Sequence, residues 1–309
     1  MSKTQSQRVA YGEEIVALGA ENPNVVALEA DLGKSTMSHM FQEAYPDRYF
    51  EMGIAEQDMI STAAGLAASG KIPFCSTFAV FATGRAYDQI RQTVSIGKLN
   101  VKICGSSSGL SDFGDGATHQ DIEDVALMSV IPNMTVLTPC DAEETRQAVR
   151  AAAAIDGPVY IRVMRNDLPD YIKKDDQMKI GKLRTLKEGT DIAILAYGNM
   201  VSESMQAADI LQGKGISAKV IDVSTMKPFD SVGVVEAAKT VKAVLTAEEH
   251  NYIGGLASKV ALALRKSAVP MDYVAVEDKF GQSSYGIREL MDCYGLNAEN
   301  IVKKAENLL

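Results

Sequence analysis

The chain has 309 residues, of which 46% are hydrophobic and 23% charged, a balance typical of a globular protein of two domains. Its net charge of −9 argues against nucleic acid or an anionic membrane as its main partner, because both require a positively charged surface. No apolar run reaches the roughly 18 residues of a membrane-spanning helix, and residues 1–8 lack the apolar core of a signal peptide.

Short runs rich in β-branched residues alternate with longer helical runs through the first half of the chain. The predicted strands cover residues 24–28, 72–77, 101–104, 135–137 and 159–163. The predicted helices include residues 8–20, 56–69, 85–96 and 142–154. Because these strands are apolar on both faces and separated by helices, they predict a parallel sheet covered on both sides.

The alternation stops over residues 168–187, where Pro169 and a run of charged residues follow one another. It then resumes with predicted strands at 191–196, 217–222, 243–247 and 271–276. The sequence therefore predicts an α/β fold of two doubly wound domains with mainly parallel sheets. The predicted domains are residues 1–170 and 189–309, joined by a linker at 171–188.

The cysteines and histidines are few and far apart, so we expect free thiols, a cytoplasmic location and no metal site built by this chain alone. Three short motifs match part of a known functional-site pattern, but each lacks a feature that the site requires. Gly33-Lys34-Ser35 lacks the first glycine of a nucleotide-binding P-loop. The segment Gly105 to Gly109 matches the G-x-S-x-G pattern of a hydrolase nucleophile elbow, but it leads into a loop instead of a helix. Gly114-Asp115-Gly116 is not followed by an asparagine at the spacing that a diphosphate and metal site requires.

Several further motifs occur in the order and spacing of one known family. They are Ala30-Asp31-Leu32, Gly53-Ile54-Ala55-Glu56-Gln57-Asp58, Ser76-Thr77-Phe78-Ala79-Val80-Phe81, Asp115-Gly116-Ala117-Thr118-His119-Gln120 and Arg165-Asn166-Asp167-Leu168-Pro169. Together they resemble the pyrimidine-binding domain of the transketolase family, which uses thiamine diphosphate. Glu248-Glu249-His250-Asn251 and Gly254-Gly255 resemble the family's C-terminal domain, so the resemblance covers nearly the whole chain.

The resemblance implies cofactor-binding roles for Glu56, Phe78, Phe81 and Asp31. Glu56 matches the catalytic glutamate, whose carboxyl group hydrogen-bonds the cofactor's pyrimidine ring and promotes its reactive tautomer. Burial would favour the neutral carboxyl group and a helix start the charged one, and the sequence leaves this open. Phe81 is the favoured stacking ring, whereas Phe78 fits stacking and core packing equally.

The resemblance also implies a substrate site. Arg8, Ser35 and Arg165 match positions that grip the substrate phosphate, and arginine suits this work because its planar group binds phosphate bidentately. Asp115 matches an aspartate that contacts a substrate hydroxyl group. His119 matches a catalytic histidine near the reacting carbonyl, where it would relay protons.

Two departures concern the substrate side. A histidine that full-length transketolases carry before a Ser-x-Gly turn is replaced by Ser106 and Ser107, and the loop at 111–114 is longer than in the family. The segment Arg85-Ala86-Tyr87-Asp88-Gln89 also resembles the corresponding sequence of deoxyxylulose-phosphate synthase. The identity of the sugar is therefore less firmly implied than that of the cofactor.

The family places a diphosphate-binding domain before the region seen here. The resemblance therefore implies a partner subunit that carries this domain and holds Mg²⁺ or Ca²⁺, in an α2β2 assembly acting on sugar phosphates. The implied function is transfer of a two-carbon ketol unit between sugar phosphates. The alternatives are a subunit like deoxyxylulose-phosphate synthase, a 2-oxoacid dehydrogenase β subunit, and a regulatory or scaffold subunit without catalysis.

Overall fold

A computed structural model describes residues 4–309, and the first three residues of the predicted first domain lie outside the described residues. Every strand predicted in the first half is present, with ends within two residues of those expected. The elements of this half are β1 (Thr4–Ser6), α1 (Gln7–Glu21), β2 (Val25–Glu29), α2 (Gly33–Thr36), α3 (His39–Ala44), β3 (Tyr49–Glu51), α4 (Glu56–Ala68), β4 (Ile72–Phe78), α5 (Tyr87–Gln89), β5 (Lys102–Ser106), α6 (Asp124–Val130), β6 (Thr135–Leu137), α7 (Ala142–Ala154), β7 (Val159–Arg162) and β8 (Asp167–Pro169).

The second half repeats the alternation of strand and helix. Its long strand near the middle runs four residues beyond the predicted end at 247. The elements are β9 (Arg184–Lys187), β10 (Ile192–Ala196), α8 (Asn199–Gly213), β11 (Ala218–Asp222), β12 (Thr225–Lys227), α9 (Ser231–Ala238), β13 (Ala243–Asn251), α10 (Leu256–Ala263), β14 (Met271–Val276), α11 (Ile287–Cys293) and α12 (Ala298–Leu308).

Two large sheets confirm the predicted α/β class. The first has seven strands in the order β12-β6-β7-β5-β4-β2-β3, and all neighbours are parallel except β12 and β6. The second has five strands in the order β14-β13-β10-β11-β9, and only the β11–β9 pair is antiparallel. β1 and β8 form a separate antiparallel ribbon.

Two strands differ from the sequence-based division of the chain. β9 lies inside the predicted linker 171–188, and β12 crosses over to complete the first sheet. Both are edge strands of only three or four residues. β9 is mostly polar and partly exposed, and β12 has a single buried apolar residue, Met226, between two polar ones, so neither shows the apolar run used to find strands. The two predicted domains therefore share a sheet edge.

The predicted helix 85–96 also takes an unexpected form. The short α5 is flanked by π-helical turns at Phe81–Arg85 and Ile90–Ser95. π-helical turns are rare and mark an extra residue within a helix, frequently at functional sites. The first of these turns carries Phe81 and Arg85 at the carboxyl end of β4.

The hydrophobic core runs across the boundary between the two halves. Val125 and Met128 of α6 belong to the same buried cluster as Leu256 and Val260 of α10. Within residues 4–309, no helix combines the length and apolar character that a bilayer crossing requires. The parallel order of the first sheet brings the carboxyl ends of β2, β4, β5 and β7 together at one edge, which is where ligands bind in such sheets.

Candidate active site

Glu56 is the first residue of α4 and points into the protein. The turn before it contains Gly53 at φ 69°, a conformation that favours glycine, and α4 then begins with acidic residues that suit the positive end of a helix. The carboxyl group is 1% exposed, and both of its oxygens accept hydrogen bonds from Arg85 Nη1 at 2.8 and 2.9 Å. Glu56 is thus a buried carboxylate with a single, partly exposed cationic partner.

A cleft of about 400 Å³ opens beside Glu56. Side chains from the ends of β2 and β4, the start of α4 and a later loop form its walls. The lining residues are Ala30, Asp31, Leu32, Ile54, Glu56, Phe81, Arg85, Thr118 and His119. An apolar cleft with a few converging polar groups is the usual form of a small-molecule site.

Phe78 and Phe81 differ in what they present to this cleft. Their rings are stacked with centroids 6.0 Å apart, but only Phe81 lines the cleft, while Phe78 is 3% exposed. The His119 and Phe81 rings pack edge to face with their centroids 5.2 Å apart. The Arg85 guanidinium lies 4.5 Å from the centroid of the Phe81 ring. Phe81 therefore offers a ring to a ligand, and Phe78 supports it from behind.

Asp31 follows β2 in a left-handed conformation, with φ 60°. Its backbone N–H donates to Glu51 Oε1 at 2.8 Å, and Gly53 N–H donates to the same oxygen at 3.1 Å. Glu51, which sequence reasoning missed, thus ties the Asp31 turn to the turn before α4. Asp31 itself is exposed and lines the cleft.

The three residues expected to hold a phosphate lie together, although they are far apart in sequence. Arg8 donates from Nη1 to Ser35 O at 2.6 Å and from Nε to Arg165 O at 3.1 Å. Burial and the neighbouring Arg165 lower the pKa of Arg8 from its ordinary value. Two guanidinium groups kept close together in this way form a concentrated positive site for an anion.

Asp112 completes this group and was not foreseen. Its Oδ2 accepts a hydrogen bond from Arg165 Nη1 at 3.0 Å, and burial raises the pKa of this carboxyl group from its usual value. The signal in the sequence was the extra length of the loop at 111–114, which includes Asp112. The loop was noted as a departure from the family, but no residue within it was singled out.

The loop that follows β5 carries the remaining expected residues. His119 is half-buried, lines the cleft beside Phe81, and has its Nδ1 2.9 Å from Thr118 Oγ1. Asp115 is exposed and does not line the cleft. The structure therefore brings Glu56, Phe81, Asp31 and His119 together, and leaves the role of Asp115 a prediction.

The motifs that only partly match known functional-site patterns do not form those sites in the structure. Ser107 has φ 52° and is buried with no hydrogen-bond partner for its hydroxyl group, and the chain after it continues as a loop. Gly33, Lys34 and Ser35 belong to the short helix α2.

Among residues 4–309, Cys140, Glu144 and Asp222 bring potential metal ligands within 4.8 Å of one another. Glu144 already pairs with Arg184 and accepts from Cys140 N–H, so a cation would have to displace both contacts.

Comparison with known proteins identifies the family of this chain. The family model for the transketolase pyrimidine-binding domain matches residues 3–170, and that for the transketolase C-terminal domain matches residues 181–301. A putative transketolase C-terminal section from Methanocaldococcus jannaschii is 40% identical over 304 residues, which cover 97% of this chain and 95% of the relative. A 6-deoxy-6-sulfo-D-fructose transketolase subunit from a Clostridium species is 41% identical over 303 residues, covering 97% of this chain and 94% of that subunit.

Solved structures extend the match to three dimensions. A split-gene transketolase, described as an inactive β4 tetramer, superimposes with a TM-score of 0.90 at 45% identity and covers 99% of both chains. Human transketolase is 32% identical over 309 residues, but this chain covers only 49% of it. The chain therefore belongs to the transketolase family and consists of that family's pyrimidine-binding and C-terminal domains.

Proposed function

We propose that this chain is the subunit of a thiamine-diphosphate-dependent transketolase that binds the pyrimidine end of the cofactor. The reaction moves a two-carbon ketol unit from a ketose phosphate to an aldose phosphate. The observation that carries the proposal is the buried Glu56 carboxylate, which faces the same cleft as the Phe81 ring and His119. When bound, thiamine diphosphate supplies the carbon nucleophile that accepts and passes on the ketol unit.

The residues of this chain suit the pyrimidine end of that cofactor. Glu56 would hydrogen-bond a ring nitrogen, and Phe81 would stack against the ring, a contact worth about 0.5–1.5 kcal/mol beyond burial of area. Arg85 Nη1 donates to both Glu56 oxygens, and each oxygen keeps a further lone pair through which it could contact the ring. A hydrogen bond between this carboxyl group and the ring nitrogen would favour the ring's reactive tautomer.

The substrate end uses the loop after β5 and the two arginines. His119 has Nδ1 beside Thr118 Oγ1, which leaves Nε2 to move a proton at the oxygen of the reacting carbonyl. Arg8 and Arg165 would bind a tetrahedral anion at the far end of the sugar. A phosphate and a sulfonate share this shape, and the relatives include subunits of a 6-deoxy-6-sulfo-D-fructose transketolase and of an apulose-4-phosphate transketolase.

A separate chain would supply the diphosphate-binding domain and the Mg²⁺ or Ca²⁺ ion. Gly114-Asp115-Gly116 is unsuited to that role, because no asparagine follows it at the spacing that a diphosphate and metal site requires. The relative solved as an inactive β4 tetramer supports the need for a second kind of subunit. We propose an α2β2 assembly in which the cofactor is held across the interface.

The rival enzymes share the cofactor but not the substrate. A 2-oxoacid dehydrogenase β subunit would act on a 2-oxoacid without phosphate, so the paired arginines argue against it. A deoxyxylulose-phosphate-synthase-like subunit would take pyruvate as donor and an aldose phosphate as acceptor, so only the donor distinguishes it. The reconstituted complex should accept xylulose 5-phosphate with ribose 5-phosphate and leave pyruvate unchanged. Consumption of pyruvate, either alone or together with an aldose phosphate, would favour one of the rivals.

The decisive variant is Glu56→Gln in the complex with the partner subunit. We expect kcat to fall by about 10²–10⁴-fold, since the amide cannot hold or move the proton. The matched control is Glu299→Ala, which also removes a first-turn helix glutamate but at an exposed site in α12. Unchanged turnover in Glu56→Gln would instead support a regulatory or scaffold role.

A further inference from the structure

We propose that Gln120 is a positioning residue through which the C-terminal domain fixes the shape of the substrate-binding loop. The substrate loop is residues 109–121, and the brace is residues 280–284 of the C-terminal domain. The inference deepens the proposed function, on which it rests for the loop's role with substrate. Gln120 itself is 4% exposed and does not line the cleft, so it acts through its neighbours.

The substrate loop is closed at its base by a pair of backbone hydrogen bonds. Gly109 N–H donates to Asp121 O at 2.9 Å, and Asp121 N–H donates to Gly109 O at 3.0 Å. Between these two residues lie Asp112, which binds Arg165, and His119, which lines the cleft. The shape of this one loop therefore sets both the anion end and the carbonyl end of the substrate site.

The Gln120 side chain joins the loop to the brace. Its Nε2 donates to Asp112 O at 3.1 Å within the loop and to Gln282 O at 3.1 Å in the brace, with a longer contact of 3.4 Å to Leu110 O. An amide nitrogen has two hydrogens, and the two shorter bonds use both of them. The amide nitrogen therefore has no donor left for a substrate, while Gln120 Oε1 is buried against Gly281 without a hydrogen-bond partner, and this arrangement argues for a supporting role.

Two glycines allow the brace and the loop to approach each other so closely. A Cβ at Gly281 would lie 1.7 Å from Gln120 Oε1, and a Cβ at Gly116 would lie 2.4 Å from Ser283 Oγ. The approach is secured by Ser284 N–H, which donates to Phe113 O at 2.8 Å. Gly281 is not in a left-handed conformation, so the requirement for glycine there comes from this contact.

The consequence is that the C-terminal domain contributes to catalysis without touching the substrate. Without the Gln120 amide, the carbonyl groups of Asp112 and Gln282 lose their shared donor, so the hydrogen bonds that join the loop to the brace through this side chain are gone and the loop is free to rearrange. His119 adjoins Gln120 in the chain, so its ring would move with any such rearrangement. Small displacements of this kind cost much in a catalytic site.

The first test uses Gly281→Ala, which pushes Gln120 aside while leaving every site residue unchanged. Gly286→Ala is the matched control, since a Cβ there meets nothing within 4 Å. In the purified chain, hydrogen exchange at the amides of 109–121 should become about tenfold faster in Gly281→Ala and stay within about twofold in the control. Exchange that stays unchanged, or that accelerates equally in α4 and β4, would overturn the proposal.

The second test uses the same two variants and Gln120→Ala in the complex with the partner subunit. We expect KM for the phosphorylated donor to rise about tenfold in Gly281→Ala and Gln120→Ala, with thiamine diphosphate affinity unchanged. Equal losses in cofactor and donor affinity would show a general structural defect and refute a positioning role. If wild-type complex transfers no ketol unit, the proposed function fails, while the exchange experiment still decides whether the brace holds the loop.

Discussion

The two large sheets are built alike, but their carboxyl edges are used differently. In the first sheet the strand ends lead to Asp31, Phe81 and His119, which face an open cleft. In the second sheet the strand ends carry Asp222 and the run Glu248 to His250, all of which are buried. Two mainly parallel sheets therefore have an open cleft at one carboxyl edge and a closed contact at the other.

Two acidic residues of the second edge, Glu248 and Glu249, accept hydrogen bonds from backbone groups. Glu248 accepts from Leu256 N–H at 2.6 Å and Ala257 N–H at 2.8 Å, so it caps the start of α10. Glu249 Oε1 accepts from Leu110 N–H at 2.8 Å, across the boundary between the two halves. The comparison teaches that strand ends bind ligands only where the neighbouring domain leaves them uncovered.

The largest effect is expected from breaking the contacts that bury the carboxyl edge of the second sheet, which we call the covered edge. Arg162 is 2% exposed and binds Asp124 Oδ2 at 2.9 Å and Glu249 O at 3.0 Å. Arg162→Ala would leave Asp124 buried without its partner, and the free energy of unfolding should fall by about 3–5 kcal/mol. Urea denaturation measures this, with the exposed pair of Arg146 and Glu13 as control: Arg146→Ala should cost at most about 1 kcal/mol. Equal losses in the free energy of unfolding for Arg162→Ala and Arg146→Ala would contradict a structural role for the covered edge.

At the open edge, the largest effect should be on the substrate anion. Arg165→Ala should lower kcat/KM for a phosphorylated ketose by about 10–100-fold, since hydrogen bonds to charged groups contribute about 1.5–3 kcal/mol. The corresponding unphosphorylated ketose should lose less than about threefold. Arg150→Ala, on the surface of α7, serves as the control. A similar loss for both ketoses would place Arg165 outside the anion site.

The covered edge also predicts a pH dependence of stability. Burial raises the pKa of Glu249 to about 7, against the opposing effect of Arg162. The folded chain then holds this proton more tightly than the unfolded chain, so the group's contribution to stability falls as pH rises from about 5 to about 7. Glu249→Gln should remove about 1–2 kcal/mol of this fall, because the amide keeps the acceptor for Leu110 N–H and has no charge.

The measurement is the free energy of unfolding at pH 5.5 and 7.5 for wild type and Glu249→Gln. Burial lowers the pKa of His250, which contributes with the opposite sign below its ordinary pKa of 6.5. This contribution is present in both proteins and cancels in the difference between them. Parallel pH profiles would mean that Glu249 does not titrate in this range.

The smallest effect separates the two phenylalanines. Phe81→Leu should weaken cofactor binding in the complex by about 3–10-fold, in line with a stacking contribution of about 0.5–1.5 kcal/mol, with little change in stability. Phe78→Leu should do the reverse, because Phe78 is buried behind Phe81. Titration calorimetry and thermal unfolding of both variants decide the matter, and identical behaviour of the pair would contradict the division of roles.

Local pattern in the sequence was sufficient to predict most of the fold. The strands of the first sheet are apolar on both faces, and Glu56 was correctly expected at a helix start. The edge strands β9 and β12 were missed because each has only three or four residues and a single apolar side chain. Their pairing depends on which sheet passes nearby, and no local pattern encodes that.

The site was predicted in part for a similar reason. Motif order singled out Glu56, Phe81, Arg8 and Arg165, because these residues lie in recognisable segments. The partners that orient them, Arg85 and Asp112, are chosen by tertiary contact and have no spacing of their own. The same holds for Gln120, whose partners include a carbonyl 162 residues away along the chain.

The central claim is that this chain holds only one end of the cofactor. Calorimetric titration with thiamine diphosphate and Mg²⁺ should give no saturable binding to the isolated, monodisperse chain up to about millimolar concentration. Once the subunit with the diphosphate-binding domain is added, binding should become at least about a hundredfold tighter and ketol transfer should begin. Tight, stoichiometric binding by the chain alone, together with full ketol transfer, would contradict the account.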